Sequence, residues 1–343
     1  MLRWRKKGDG VSQQQLMHAP KPQDSSILLK RILVIAIPVC LGSLAVNLSG
    51  IIDLLTVTGR LSHVMDTAPQ QLLACYGQNI PQAELVNGTV HNYLYGAYSG
   101  KAVVIANLVP ALTTGMAVSA LPAVAESFAR GNRLRTQKSI QMVLRITALF
   151  CVPAGLGISA LSQEVCSLFF GMNNEVMIGA PLLRVLGLAS IFIALTGTTN
   201  SLLQAVGRVP LPVKLILIGS AIKLAMNYLL VGIPQLNIQA APWSTLVCYV
   251  VITLLSLIAL RSTVGPLGAF GVFGKPLLAG LLCAAFARLT QNMLMQVTAS
   301  RFVVLLSAAV GAAVYLVGLL LLRALKKEDI MMLPKGEKMA KIL

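Results

Sequence analysis

Apolar residues in this chain cluster in long blocks rather than alternating. A membrane-crossing helix needs about 20 mostly apolar residues. Eight blocks reach that length: roughly 32–57, 94–122, 142–161, 180–205, 213–233, 241–260, 275–296 and 301–323. Pro38, Pro110 and Pro153 fall inside them. Spanning helices tolerate proline where neighbours satisfy the freed carbonyl. The pattern therefore predicts an all-α, polytopic integral membrane protein of about eight transmembrane helices. An even count places both termini on the same side.

Composition agrees. Of 343 residues, 56% are hydrophobic and only 11% charged, less than half the share usual in a soluble domain. That excludes an ordinary globular enzyme and a disordered tail alike. The net charge of +17 would suggest nucleic acid in a soluble protein. Its placement argues otherwise. Twenty-one of the 28 Lys and Arg fall in the arm 1–31, the even-numbered loops and the tail, which all share one side. Only Arg60 and Arg301 fall on the other. The positive-inside rule puts both termini in the cytoplasm, and no nucleic-acid partner is expected. The arm is basic and polar, and the apolar block after it is too long for a cleavable signal.

Candidate soluble chemistry is thin. Cys40, Cys75, Cys151, Cys166, Cys248 and Cys283 form no C-x-x-C pair and read as small buried hydrophobes. His18, His63 and His91 have no metal-ligand spacing. Gly268 to Lys275 looks slightly like a phosphate loop, but its glycine spacing is wrong and Pro276 stands where a magnesium-holding hydroxyl would be. Asn87-Gly88-Thr89 fits a glycosylation acceptor and equally an ordinary loop. No enzymatic constellation, metal site or cofactor is expected.

The remaining charges lie inside the spans, where they are costly and usually face a cavity or a partner. Lys223 stands about ten residues into the fifth block, near the midplane, with Asn227 one turn on. The reading taken is a polar patch lining a cavity, against a locally paired structural lysine. Lys101, Arg184 and Arg288 are further candidates, while Arg184 and Arg145 also suit snorkelling to an interface. Asp53 is the sole carboxylate in a block. It reads as an ion-coupling or proton site, or as a salt-bridge partner, with the partner role favoured. Five cations against one acid suit an anionic ligand such as phosphate.

The order of these features resembles a family. The stretches are Leu29 to Pro38, Ile52-Asp53, Gly59-Arg60-Leu61, Tyr95 to Lys101, Asn107 to Pro110, Ala120 to Glu126, Asn200 to Arg208, Lys223 to Asn227 and Leu333 to Gly336. In combination they are similar to the polysaccharide-export and flippase members of the multidrug/oligosaccharidyl-lipid/polysaccharide (MOP, MATE-like) exporter superfamily. The nearest resemblance is to the stage V sporulation protein B branch, with MurJ-like lipid II flippases more distant. The resemblance implies two six-helix lobes plus two extra helices, of which this chain holds only the C-terminal part. It places a cytoplasmic linker at 1–31, the second lobe at 32–260, the extra pair at 275–323 and a cytoplasmic tail at 324–343. One departure is Ala240, where the family tends to glycine.

The implied function is flipping of a lipid-linked sugar or peptidoglycan precursor across the bacterial cytoplasmic membrane by alternating access, with a separate N-terminal lobe as partner. Lys101, Lys223 and either Arg184 or Arg288 would contact pyrophosphate and Asn227 the sugar or a water, while the polyprenyl tail follows a groove made by the extra helices. The rival readings are a drug/cation antiporter on the same fold and a truncated, non-transporting membrane module.

Overall fold

The computed structural model describes residues 24–268, 270–297, 300 and 302–322. The basic arm before residue 24 and the tail after residue 322 lie outside the described residues. Every regular element among the described residues is helical. The protein is an all-α polytopic membrane protein. Six helical segments are long and apolar enough to cross a membrane: 133–160, 174–205, 210–231, 237–264, 270–296 and 303–321. The other two predicted spans are helical as well.

Helix α1 (Ser25–Thr67) is 43 residues long, about 65 Å. Asp24 caps it, its side chain accepting from Ser26 N–H. We call the side where α1 begins the near side and the other the far side. Two short far-side helices follow, α2 (Pro69–Tyr76) and α3 (Gln82–Val86). The second crossing is broken. It comprises α4 (Val90–Ala97), a π-helical turn Tyr98–Ala102, α5 (Val103–Ala106) and α6 (Leu108–Ala129). Pro110 accounts for the break at Asn107: it has no N–H for the Ala106 carbonyl, and its ring crowds that carbonyl.

The third crossing is α7 (Arg133–Ala160), followed by far-side α8 (Ser162–Phe170). Next come α9 (Asn174–Ala205), α10 (Pro210–Met226) ending in a π-turn Asn227–Val231, and α11 (Ala240–Val264). Helices α12 (Lys275–Val297) and α13 (Val303–Leu321) complete the order.

Helix α9 is the centre of the lobe. It packs against α6, α7 and α11. It buries residues all around its circumference, as an evenly apolar helix must. Two glycines bring α7 and α9 together. A Cβ on Gly155 would lie 2.6 Å from the Gly187 carbonyl, and one on Gly187 would lie 2.7 Å from Ser159 N. Small residues at such crossings let backbones approach where no hydrophobic force separates lipid from protein contact. Helices α12 and α13 pair with each other and dock mainly through α12 on α7.

Several expected boundaries move outward, and this changes how charges are read. Helix α7 begins at Arg133, so Arg133, Arg135 and Lys138 are helical rather than loop residues. Arg145 then lies twelve residues in, and is buried at 7% exposure; it does not snorkel. Helix α9 begins at Asn174, which puts Arg184 ten residues in and draws Glu175 into the first turn. Helix α12 runs to Val297, so Arg288 lies nine residues inside its far end.

Four of the five described cysteines are buried and Cys75 is exposed. Among the described residues no group of three or more His, Cys, Asp or Glu could hold a metal ion.

Candidate functional site

Two helices that meet at right register bring the deepest polar residues together. Asp53 of α1 faces the end of α10. Its Oδ2 accepts from Lys223 Nζ at 2.7 Å and from the Tyr98 hydroxyl at 3.2 Å, and its Oδ1 accepts from Asn227 Nδ2 at 2.9 Å. Lys223 also donates to Ser49 Oγ at 3.0 Å, and Asn227 to Thr56 Oγ1 at 3.2 Å. From α11, the Ser244 hydroxyl donates to Asn227 Oδ1, and Thr245 stands 3.4 Å from the Tyr98 hydroxyl. The cluster is closed: Lys223 is 3% exposed and Asn227 fully buried. Lys223 therefore does not line open space here, as the sequence suggested; it is held in a local pair.

The physical reason is desolvation. An ammonium or carboxylate taken out of water costs several kcal/mol after relaxation, and only a close, fully hydrogen-bonded partner offsets it. Asp53 receives three donors and Lys223 two acceptors, so the pair is compensated. Spacing achieves this. Ser49, Asp53 and Thr56 recur at three- and four-residue steps on one face of α1, as Lys223 and Asn227 do on α10.

Two of the three π-helical turns among the described residues border the cluster, since Tyr98 opens one and Asn227 the other. Each wide turn re-aims the residues after it, and such turns are frequent at functional sites.

The other predicted cations are placed apart. Lys101 Nζ lies 3.0 Å from Glu175 Oε2 and 4.5 Å from the centre of the Phe170 ring. Arg288 Nη1 donates to Glu164 Oε1 at 2.8 Å. Asp53 is thus not alone among acids: Glu175 and Glu164, both outside the predicted spans, neutralise two more cations. Arg184 is exposed and no carboxylate pairs with it among the described residues. Among the described residues it is the one candidate whose charge no carboxylate compensates.

Sequence reasoning missed Tyr98, Ser49, Thr56, Ser244 and Thr245. Their hydroxyls look unremarkable in an apolar stretch. The available signal was helical spacing, with Tyr98 three residues from Lys101 and Thr56 three from Asp53.

A second feature is an apolar groove of about 600 Å³ between α7 and the α12–α13 pair. Phe150, Pro153, Gly157 and Leu161 form one wall, and Ala287, Ala308, Ala312 and Leu316 belong to the other. It follows α7 for about four turns, a length of hydrocarbon dimensions.

A family model described as lipid II flippase MurJ matches residues 97–316. The lipid II flippase MurJ of Bacillus subtilis (strain 168) is 25% identical over 217 residues, which is 60% of this chain and 39% of that protein. The chain thus matches well under half the length of that relative. Among solved structures, an outward-facing multidrug resistance transporter of the MATE family, MOP superfamily, superposes with a TM-score of 0.51 at 15% identity. That overlap covers 91% of this chain and 68% of the other, and it shows the fold alone. A MOP superfamily transporter from Pyrococcus furiosus gives 0.49 at 15% identity over the same shares. The family match runs from the broken second crossing through most of α13, well over half of the chain, and the chain belongs to the MurJ lipid II flippase family.

Proposed function

We propose that this chain is the C-terminal part of a flippase that moves a polyprenyl-pyrophosphate-linked sugar or peptidoglycan precursor across the bacterial cytoplasmic membrane. The observation that carries the reading is the family match over 97–316, which takes in the lobe from its second crossing onward and most of the extra helix pair. In this reading the chain divides as a cytoplasmic linker at 1–31, a six-helix lobe at 32–260, two additional helices at 275–323 and a cytoplasmic tail at 324–343. Both termini are cytoplasmic, in line with the placement of the basic residues. A separate six-helix N-terminal lobe completes the cavity.

The residues divide the work. The apolar groove takes the polyprenyl tail, which removes little water and needs only shape. Arg184 and the half-exposed Arg288 meet the pyrophosphate, where a planar guanidinium matches the oxygens in a bidentate way. Lys101 contributes when its contact with Glu175 opens. Lys223, Asp53 and Asn227 form a buried joint between α1, α10 and α11. The lobe rocks as a body about this joint in alternating access. The protein does no covalent chemistry in this scheme, so it is a transporter and not an enzyme.

Pairing of Asp53 with an internal ammonium weighs against a drug/cation antiporter, which needs a buried carboxylate free for its cargo. The test is reconstitution of the chain in proteoliposomes with and without a six-helix first lobe from the same genome. A fluorescent lipid II analogue reports transfer. Transfer is expected only with both parts present; no transfer with both present, where the analogue is otherwise bound, overturns the reading.

A further inference from the structure

Arg60 is used by neither the buried joint nor the groove, and its setting is specific. It lies three residues past the apolar block ending at 57 and seven before the far end of α1. That is head-group depth on the far side of the membrane. Its guanidinium carbon sits 4.5 Å from the centre of the Tyr228 ring, on the last turn of the fifth crossing. On the other side it lies against Gly232. A Cβ there would fall 2.7 Å from Arg60 Nε and 2.8 Å from Cζ, and closer still to Nη2. Only the missing side chain leaves room for the guanidinium.

The charge is fixed in place yet unanswered. Among the described residues no carboxylate pairs with Arg60, and its buried Nε has no acceptor. His63 and Asp66, one and two turns on, are exposed, and Asp66 makes no ion pair with it. Below this level both helices carry exposed leucines, Leu55 on α1 and Leu224 on α10. An oriented guanidinium above an apolar surface fits an anionic head group above its own acyl chains. An arginine stacked on an aromatic ring keeps its Nη donors directed at one place, and phosphate oxygens accept them two at a time.

We propose that Arg60, framed by Tyr228 and Gly232, is a binding site for the phosphate of a far-leaflet membrane lipid. The proposal depends on the depth of α1 and is independent of what the protein transports.

The experiment is lipid binding to the full chain in maltoside detergent, followed by native mass spectrometry, for wild type, Arg60→Gln, Gly232→Ala and Tyr228→Phe. The probes are phosphatidylglycerol, diacylglycerol with the same chains, and inorganic phosphate. One phosphatidylglycerol is expected to bind wild type, about tenfold more tightly than it binds Arg60→Gln. Gly232→Ala, which keeps the charge and displaces the guanidinium, is expected to lose as much. Tyr228→Phe keeps the ring and should bind like wild type. Diacylglycerol should not occupy the site. Equal phosphatidylglycerol binding by wild type and Gly232→Ala overturns the proposal even if Arg60→Gln does not fold. Inorganic phosphate displacing the lipid at equal concentration would make this a soluble-anion site and also overturn it.

Discussion

Lys223 and Asp53 are 170 residues apart in sequence and 2.7 Å apart in space, which ties the fifth crossing to the first at its middle. Removing one partner leaves a buried charge with nothing to balance it. Lys223→Met or Asp53→Leu alone is expected to cost roughly 3–5 kcal/mol, whereas the two together should recover most of the loss. Thermal unfolding of the detergent-purified chain measures this. Two single variants as stable as wild type would mean that the pair does not hold the helices together.

Much of this arrangement was legible in the sequence, and the rest was hidden for identifiable reasons. The eight helical segments followed from block length alone, because lipid requires every backbone polar group to be satisfied within the segment. Where helices end was less visible. Glu175 and Arg133 are polar, so they read as loop, yet helices extend past the hydrocarbon into the head groups. That error also concealed the partner of Lys101, while Glu164, the partner of Arg288, lies on the separate far-side helix α8. The contact between Asp53 and Lys223 is a tertiary fact. Sequence spacing places Lys223 and Asn227 on one face, but nothing local says that α1 lies opposite. Tyr98 was hidden further by a π-turn that shifts the helical register.

Arg184 tests the substrate role without the complication of a partner. Because it is exposed and unpaired among the described residues, Arg184→Gln should change stability by less than about 0.5 kcal/mol. In the two-lobe protein it should slow precursor transfer by at least about tenfold, the worth of one charged hydrogen-bonding contact. Arg184→Lys should restore only part, since an ammonium lacks the fork. Unchanged transfer by Arg184→Gln would remove this residue from the site.

The groove can be filled without disturbing the lobe. Gly157 lines it, and a Cβ at that position meets nothing within 4 Å. Gly157→Phe is therefore expected to fold with wild-type stability while occupying tail space. Binding of polyprenyl phosphates should weaken at least about tenfold, the loss expected for roughly two buried CH₂ groups at about 0.8 kcal/mol each. Short-chain analogues should bind as before. A uniform effect on long and short chains would show that the tail lies elsewhere.

Membrane orientation has a direct chemical handle. Cys75 lies on α2, in the segment joining the first two crossings, and is exposed, while Cys151, Cys166, Cys248 and Cys283 are buried. If the basic arm and tail are cytoplasmic, α2 faces the outside. A membrane-impermeant maleimide added to intact cells should then label Cys75, and Cys75→Ser should abolish the signal. Buried thiols report little either way, because the thiolate must form and be reached before it reacts. Labelling of Cys75 that appears only after the membrane is permeabilised would invert the orientation. It would also place the Arg60 lipid site in the inner leaflet, so the same measurement fixes which leaflet supplies that lipid.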